Sequence, residues 1–578
     1  MRLLPEDEVT LRRITGLAIA PDGDAVVYAV SEVDLLNNRR TTRLWRCASE
    51  NGTPCLLTTG GMTERFPEWS PDGASIAFVT SGPGGDRLMA APSSGGRPNE
   101  LLGPAEGFIP CTIFAGRPGG GPSYAWSPDS RSIACLVRDG AAMPGELGVE
   151  GPRATGDPAV AKEITERLRG GPRVALCVLD VASQERVTLG HAERPLDHLI
   201  WSLDGGCVYA VARAETDTAG LSHFTLLRFA QSASEPAVVM EFSGAAFAPA
   251  LSPDGQQFAV SAARGTSNAP APCLLLVAAD GSAQRELSTD DLTTYATLFW
   301  LADGATLLAL AESGVRRRMI RIDTRTHEAA PMGAGEVHFG ERAGTPWIEM
   351  MQVAANGAAA AFSASALDHP GDFFIQSRWD APARRLSAIN PHLPSVALGE
   401  GRAIQWRGHD GATIEGILIL PPGSEPGKPM PLIIDYHGGP ASHVTLGWNG
   451  MRQVFAMAGY AVFAPNFRGG TGYGAASGEA LRGDIGGVPF TDSMTGVDYL
   501  IAEGIVDPDR LFAYGHSWGG YMTNWTATHS DRFRAIVSSG SICDLVSVYH
   551  TRYAADVWKW RLLGTPDESP EQYLMWSP

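Results

Sequence analysis

Ser517 stands in the run Phe512-Ala-Tyr-Gly515-His-Ser517-Trp-Gly519-Gly520, a Gly-x-Ser-x-Gly pattern. Apolar residues precede it over 511–514, and a helix-compatible stretch follows over 521–529. Strand, sharp turn and helix in that order are the context of a nucleophile elbow. Its chemistry is attack by the serine hydroxyl on an acyl carbon, with a covalent acyl-enzyme as intermediate. Glycine is required on both sides because a Cβ there would meet neighbouring backbone. The helix that starts behind the serine aims backbone N–H groups at the place where an oxyanion forms. The competing reading is a glycine-rich loop holding an incidental serine, and the strand before with the helix after favours the elbow.

A second loop complements the first. The apolar run 431–436 reads as a buried strand and ends in His437-Gly438-Gly439-Pro440. Glycines at the end of that strand let N–H groups approach a substrate closely, so the oxyanion hole is assigned to the N–H groups of Gly439 and Trp518. The competing reading is a plain tight turn.

A serine nucleophile needs a base, and the base needs an acid to orient it. Only His529 and His550 follow Ser517. His529 lies near the far end of the elbow's own helix, about 18 Å away at 1.5 Å per residue. His550 with Asp544 has the right chain order, but both follow the same strand, whereas this arrangement draws acid and base from successive later loops. Triad Asp and His are therefore expected to be absent from the chain. No His-x-x-x-His, Cys-x-x-Cys or clustered Cys/His set occurs, so no metal and no cofactor is implied. The eight cysteines, at 47, 55, 111, 135, 177, 207, 273 and 543, read as reduced thiols.

The elements that must position this chemistry fall into two parts. In the first two-thirds a phrase recurs: Ala20-Pro-Asp22-Gly, Trp69-Ser-Pro-Asp72-Gly, Trp126-Ser-Pro-Asp129-Ser, Trp201-Ser-Leu-Asp204-Gly, Leu251-Ser-Pro-Asp254-Gly and Trp300-Leu-Ala-Asp303-Gly, with a worn copy at Ala355-Asn356-Gly357. The steps between the Asp or Asn positions are 50, 57, 75, 50, 49 and 53 residues. Proline presets a turn, aspartate bonds its own backbone, and glycine closes it. A period near 50 built of turns and short apolar strands is the signature of propeller blades, here seven over about 12–390. The long third step holds an insertion in which 158–168 suits a short helix.

The repeat stops near 390–410. Strands are expected at 412–420, 431–436, 460–465, 510–514 and 534–538, with a helix over 492–503 between them. Strands alternating with helices make a doubly wound, mostly parallel sheet of the α/β-hydrolase kind. The expected domains are 1–395, a β-propeller with a short N-terminal extension, and 396–578, the catalytic α/β-hydrolase domain.

These motifs together resemble the prolyl oligopeptidase family of serine peptidases, and within it the acylaminoacyl-peptidase and dipeptidyl-peptidase branch. The resemblance rests on the Trp-Ser-Pro-Asp-Gly repeats, on His437 to Pro440, on Asn466-Phe-Arg468-Gly-Gly-Thr-Gly-Tyr473-Gly474, and on Gly515 to Gly520. It implies an exopeptidase or oligopeptidase whose propeller caps the active site and admits short peptides. It also implies a pocket for the residue before the scissile bond lined by Tyr549 and Tyr553; packing of two tyrosines at i and i+4 on a helix is the competing reading. The paired glutamates that hold a free N-terminus in some dipeptidyl peptidases do not occur, which leaves free and acylated N-termini open. In relatives, two strands carrying the triad Asp and His follow a segment like 571–578. The hydrolase domain is therefore expected to be incomplete at its C-terminus, with the sheet ending in an unpaired apolar edge. An esterase-like hydrolase and a non-catalytic propeller binding module are the alternatives.

The formal charge of −18, without a basic stripe, argues against nucleic acid and anionic membranes as partners. The first eight residues turn acidic at once and do not read as a signal peptide, and no run nears the ~18 apolar residues of a membrane span. A cytoplasmic location is expected, with short peptides as partners and a homo-oligomer left open.

Overall fold

The computed structural model describes residues 3–578 except 51, 59–62, 83, 111–121, 140–172, 193–195, 214–222, 232, 234, 244–248, 264–271, 288–292, 333–350, 378, 380–381, 394–395 and 552–554. The expected helix at 158–168 and Cys111 lie outside the described residues.

The first part is a series of antiparallel four-stranded meanders, spanning 13–56, 63–102, 124–192, 196–243, 250–286, 294–331 and 351–385. The first two share one sheet through the pairing of Thr42 with Thr63. In each unit the repeated phrase is the turn between the first strand and the second. Asp72, Asp129, Asp204 and Asp254 occupy the same place in their units. Each accepts a hydrogen bond from the serine two residues earlier, at 2.5–2.6 Å, and from the backbone N–H two residues later, at 2.9–3.1 Å. The closing position has positive φ in every copy, from 63° at Gly304 to 82° at Gly23, and Ser130 adopts 63° where serine replaces glycine. The strand after each turn is buried on both faces, as in Thr306–Ser313, because it lies between neighbouring units.

The tryptophan that opens the phrase has its own duty. Trp69, Trp126, Trp201 and Trp300 donate their indole N–H to the carbonyls of Ala18, Glu68, Ala125 and Ala250, at 3.0–3.4 Å. Each acceptor belongs to the first strand of the preceding unit, so the repeat ties one unit to the next. The last unit meets the first: Ile14, Ile19 and Tyr28 share a core with Ala354, Phe373 and Ile375. Asn356 Nδ2 donates to the Asp22 carbonyl at 2.9 Å.

The second part is a six-stranded sheet. Its strands are β1 (Glu400–Arg407), β2 (Thr413–Leu420), β3 (Met430–Tyr436), β4 (Ala461–Asn466), β5 (Val506–His516) and β6 (Phe533–Ser539), in the order β1-β2-β4-β3-β5-β6. β1 and β2 are antiparallel to their neighbours, and β4, β3, β5 and β6 run parallel. Helices cover both faces, as period-2 alternation along buried strands requires. Leu418 and Phe463 face the core under α2 (Gly487–Ala502) and α3 (Trp518–His529). Ile417, Val462 and Ala464 face Ala456 of α1 (Gly450–Met457). β6 pairs only with β5 and ends the sheet, and its Val537 is 58% exposed.

Several contacts join the parts, among them Trp448 N–H to Ser365 Oγ at 3.1 Å and Gln453 Nε2 to the Leu367 carbonyl at 2.8 Å. The hairpin between Thr306–Ser313 and Arg316–Asp323 pushes Val315, fully buried, into the core of Ile417, Ile419, Val444 and Val462. Around it Gly314 N–H donates to the Gly472 carbonyl at 2.8 Å, Val315 N–H to Glu415 Oε2 at 2.9 Å, and Leu446 N–H to the Val315 carbonyl at 3.0 Å. The short helix Pro5–Thr10 leads into Leu11, which with Leu3 packs on Trp448, Val454 and Met457. The N-terminal extension expected to belong with the propeller therefore covers the second part as well.

Candidate active site

Ser517 is the hinge between β5 and α3, at φ 59° and ψ −120°, a backbone conformation that a side-chain-bearing residue rarely adopts. Close packing holds it there. Ser517 N–H donates to the Ser539 carbonyl of β6 at 2.9 Å, and its own carbonyl accepts from Tyr521 N–H at 3.0 Å. A Cβ on Gly515 would collide with the Gly519 carbonyl, and one on Gly519 with the Tyr436 carbonyl at the end of β3. The two glycines of the motif thus let the elbow sit directly on the end of β3. That seat brings the next loop alongside: a Cβ built on Gly438 would lie 3.6 Å from Ser517 Cβ. Gly439 has φ 123°. Trp518 is the first residue of α3, where a backbone N–H has no acceptor within the helix.

Buried groups fix the surrounding loops. His437 stacks on Phe467 with ring centroids 4.2 Å apart, and its Nδ1 lies 2.8 Å from the Gly438 carbonyl. Burial pulls its pKa down to about 4, with His443 and Arg452 adding to the effect against the pull of that carbonyl. Arg452 Nε donates to Asp435 Oδ2 at 2.6 Å on the strand that leads into the loop. In the stretch 466–474, Asn466 bonds both the N–H and the carbonyl of Val444, and Arg468 makes three hydrogen bonds to Asp492, which is fully buried. These bonds raise the Arg468 pKa. Sequence reasoning singled out that stretch without a role for its members; the buried Asp492, an acid amid apolar helix positions, was the signal available.

The part-to-part contact carries a polar cluster. Glu312 accepts from Arg317 Nε at 2.8 Å and from Thr471 Oγ1 at 3.3 Å, and Thr471 Oγ1 lies 2.8 Å from His443 Nδ1. Burial opposes ionisation of Glu312, but His443 and Arg317 outweigh it and hold the carboxyl below its ordinary pKa.

The two histidines after Ser517 have different surroundings. His529 is stacked on Trp525 at 3.8 Å, and its Nδ1 lies 3.0 Å from the Trp525 carbonyl at the far end of α3. His550 is exposed at the end of α4 (Leu545–His550). Asp544 caps the other end of that helix, accepting from Val546 and Ser547 N–H, and does not orient His550. Tyr549 sits edge-on to Tyr573, with centroids 5.7 Å apart. Tyr553 lies outside the described residues. Among the described residues no group of three or more His, Cys, Asp or Glu could hold a metal. No helix among them is long and apolar enough to cross a membrane.

Residues 448–578 match the model of the prolyl oligopeptidase family. Over 585 residues the chain is 25% identical to an uncharacterized peptidase, YuxL, of Bacillus subtilis, covering 95% of this chain and 83% of that protein. It is 24% identical to dipeptidyl-peptidase 5 of Porphyromonas gingivalis, covering 95% of this chain and 80% of that one. Among solved structures, the acylaminoacyl peptidase of Pyrococcus horikoshii superposes with a TM-score of 0.78 at 18% identity, over all of this chain and 85% of that one. An acylaminoacyl peptidase in complex with Z-Gly-Gly-Phe-chloromethyl ketone superposes with a TM-score of 0.77 at 17% identity, over 99% of this chain and 84% of that one. The likeness covers both parts of the chain, so the fold is that of a propeller joined to an α/β-hydrolase.

Proposed function

We propose that this chain, a serine peptidase whose residues 448–578 match the prolyl oligopeptidase family, cleaves short peptides through an acyl-enzyme on Ser517. The observation that carries the reading is the strained Ser517 seated against Gly438. In this reading Ser517 Oγ attacks the scissile carbonyl, and the N–H groups of Gly439 and Trp518 receive the oxyanion. The domains divide at 395/396. The four-stranded units are seven blades of a closed ring, a reading supported by the core shared between the first and last.

The dipeptidyl- and acylaminoacyl-peptidase names of the relatives support a short-peptide substrate. So does topology. β3, β4 and β5 are parallel, so their carboxyl ends, where ligands bind in such sheets, lie on one edge of the sheet. The loops after β3 and β4 are the ones the propeller hairpin touches. Ser517 ends β5 on that same edge, so the propeller would restrict access by size.

In this reading the base and acid of the relay are assigned to none of residues 1–578; the stacking of His529 on Trp525, and the placing of Asp544 and His550 at opposite ends of one helix, support that assignment. Ser517 then has no assigned base among these residues. The test is fluorophosphonate labelling at Ser517, with turnover of an acylated or dipeptidyl amide and of a short ester measured beside it. The chain should label slowly, if at all, and turn over poorly, since loss of a triad member costs several powers of ten. A form lengthened at its C-terminus to the span of the solved relatives should hydrolyse the amide. Robust turnover by the 578-residue chain, abolished by His550→Ala, would make His550 the base. Ester hydrolysis with no amide hydrolysis in the longer form would favour an esterase.

A further inference from the structure

Arg561 closes the helix Ala555–Arg561 and is 6% exposed. Its Nε is buried without a hydrogen-bond partner. Among the described residues no carboxylate pairs with its side chain. Its guanidinium carbon lies 5.5 Å from the ring centroid of Trp518 and 5.9 Å from that of Trp558. Those two rings stack on each other at 5.9 Å and 23°. The indole Nε1 of Trp518 and that of Trp558 are also buried and without an acceptor. Three buried donors, one of them a cation, therefore share one aromatic patch with no acceptor among the described residues.

An arginine at a helix end is commonly a solvated cap, and a buried one is commonly paired. This one is buried, and among the described residues it is unpaired. Two indole faces attract a cation, but they do not satisfy its N–H groups, and a buried cation without hydrogen bonds is costly. Burial pulls its pKa down to about 10, so the side chain is still charged at neutral pH. The patch adjoins the reacting centre through one residue: Trp518, whose ring faces Arg561, is also the residue whose backbone N–H is assigned to the oxyanion. If the Trp518 N–H receives the oxyanion, the residue that supplies the scissile carbonyl is the one whose side chain would come nearest that ring.

We propose that Arg561 is a specificity-determining residue that receives the carboxylate of a glutamate or aspartate preceding the scissile bond. The carboxylate would take two parallel hydrogen bonds from the guanidinium and have an indole N–H within reach. The proposal names a substrate class for the peptidase reading of Ser517 and rests on that reading.

The test reads binding rather than turnover. The full chain carrying Ser517→Ala is titrated calorimetrically with N-acetylglutamate α-amide, with its neutral isostere N-acetylglutamine α-amide, and with free N-acetylglutamine, whose one carboxylate is terminal. The glutamate amide should bind at least tenfold more tightly than the glutamine amide. Arg561→Met should abolish that preference without lowering Tm, because it removes an unpaired buried charge. Arg561→Gln, polar and uncharged, is the second variant and should also lose the preference. Equal binding of the two amides, no binding of either, or a preference that survives both variants would overturn the proposal. Preference for free N-acetylglutamine over both amides would move the carboxylate to the ligand's terminus and overturn the side-chain assignment. Amide turnover by the C-terminally lengthened form separates the two readings: turnover without acidic preference sinks the Arg561 assignment alone, and acidic preference without turnover by that form sinks the peptidase reading alone.

Discussion

Ser517 shows what a reactive position costs the fold. Its backbone, at φ 59° and ψ −120°, suits glycine better than serine. Ser517→Gly is therefore expected to raise stability by about 1–3 kcal/mol in urea unfolding while removing all labelling. A fall in stability would mean that the turn is not strained. His437 gives a second prediction, on pH. Its folded pKa of about 4 lies below an unfolded value of about 6.5, so the fold favours the neutral ring. The stabilisation is complete above pH ~6.5 and declines as pH falls toward 4, by about 3 kcal/mol in total. His437→Phe keeps a ring against Phe467 and removes the titration, so its Tm should fall less steeply over that window. Parallel curves for the two proteins would rule His437 out as the source. The elbow was legible at this scale because each motif position has one physical reason, as the collisions at Gly515 and Gly519 bear out. The ring of His437 and the pairing of Arg468 with Asp492 were not, because the partner of each lies far along the chain.

Among the elements, the repeated turn was legible for the opposite reason: everything it needs lies within five residues. Serine, aspartate and glycine bond one another locally, so the phrase reads the same in every unit. Its tryptophan was legible only as a recurring letter, since its acceptor is one unit back. Trp300→Phe should cost about 1 kcal/mol for the bond to Ala250, beyond any loss of packing. An equal cost on replacing Trp300 by an N-methylated indole and by phenylalanine would confirm that the bond, not ring size, is at stake. Tyr549 and Tyr553 illustrate a limit. Spacing at i and i+4 places two side chains on one helix face without saying which face is turned to a ligand, and Tyr549 packs on Tyr573.

For the whole molecule, the feature the sequence left hidden is the hairpin around Val315. Ser313-Gly314-Val315-Arg316 reads as an ordinary turn, and only the assembled sheet reveals the slot it fills. Val315→Asp forfeits about 2 kcal/mol of apolar burial and places a carboxylate among Ile417, Ile419 and Val462. Calorimetry should show two separate transitions for the variant and a single coupled one for the parent. A single transition merely shifted to lower temperature would mean that other contacts suffice to couple the parts. The Glu312 cluster beside it adds acid sensitivity. Glu312 is held below its ordinary pKa and burial lowers that of His443, so stability is present at neutral pH and is lost as protonation of each sets in.

The same hairpin has a consequence for synthesis on the ribosome. The plug at 313–316 leaves the exit tunnel before any strand of the sheet that receives it, so the catalytic part folds onto a surface that already exists. Leu3 and Leu11 stand in the reverse position. Their partners Trp448, Val454 and Met457 are made some 440 residues later. At ~5–20 residues per second the first segment waits about 20–90 s for its seat. The two ends of the propeller's schedule thus bracket the catalytic part, with a template that arrives early and a strap that closes last.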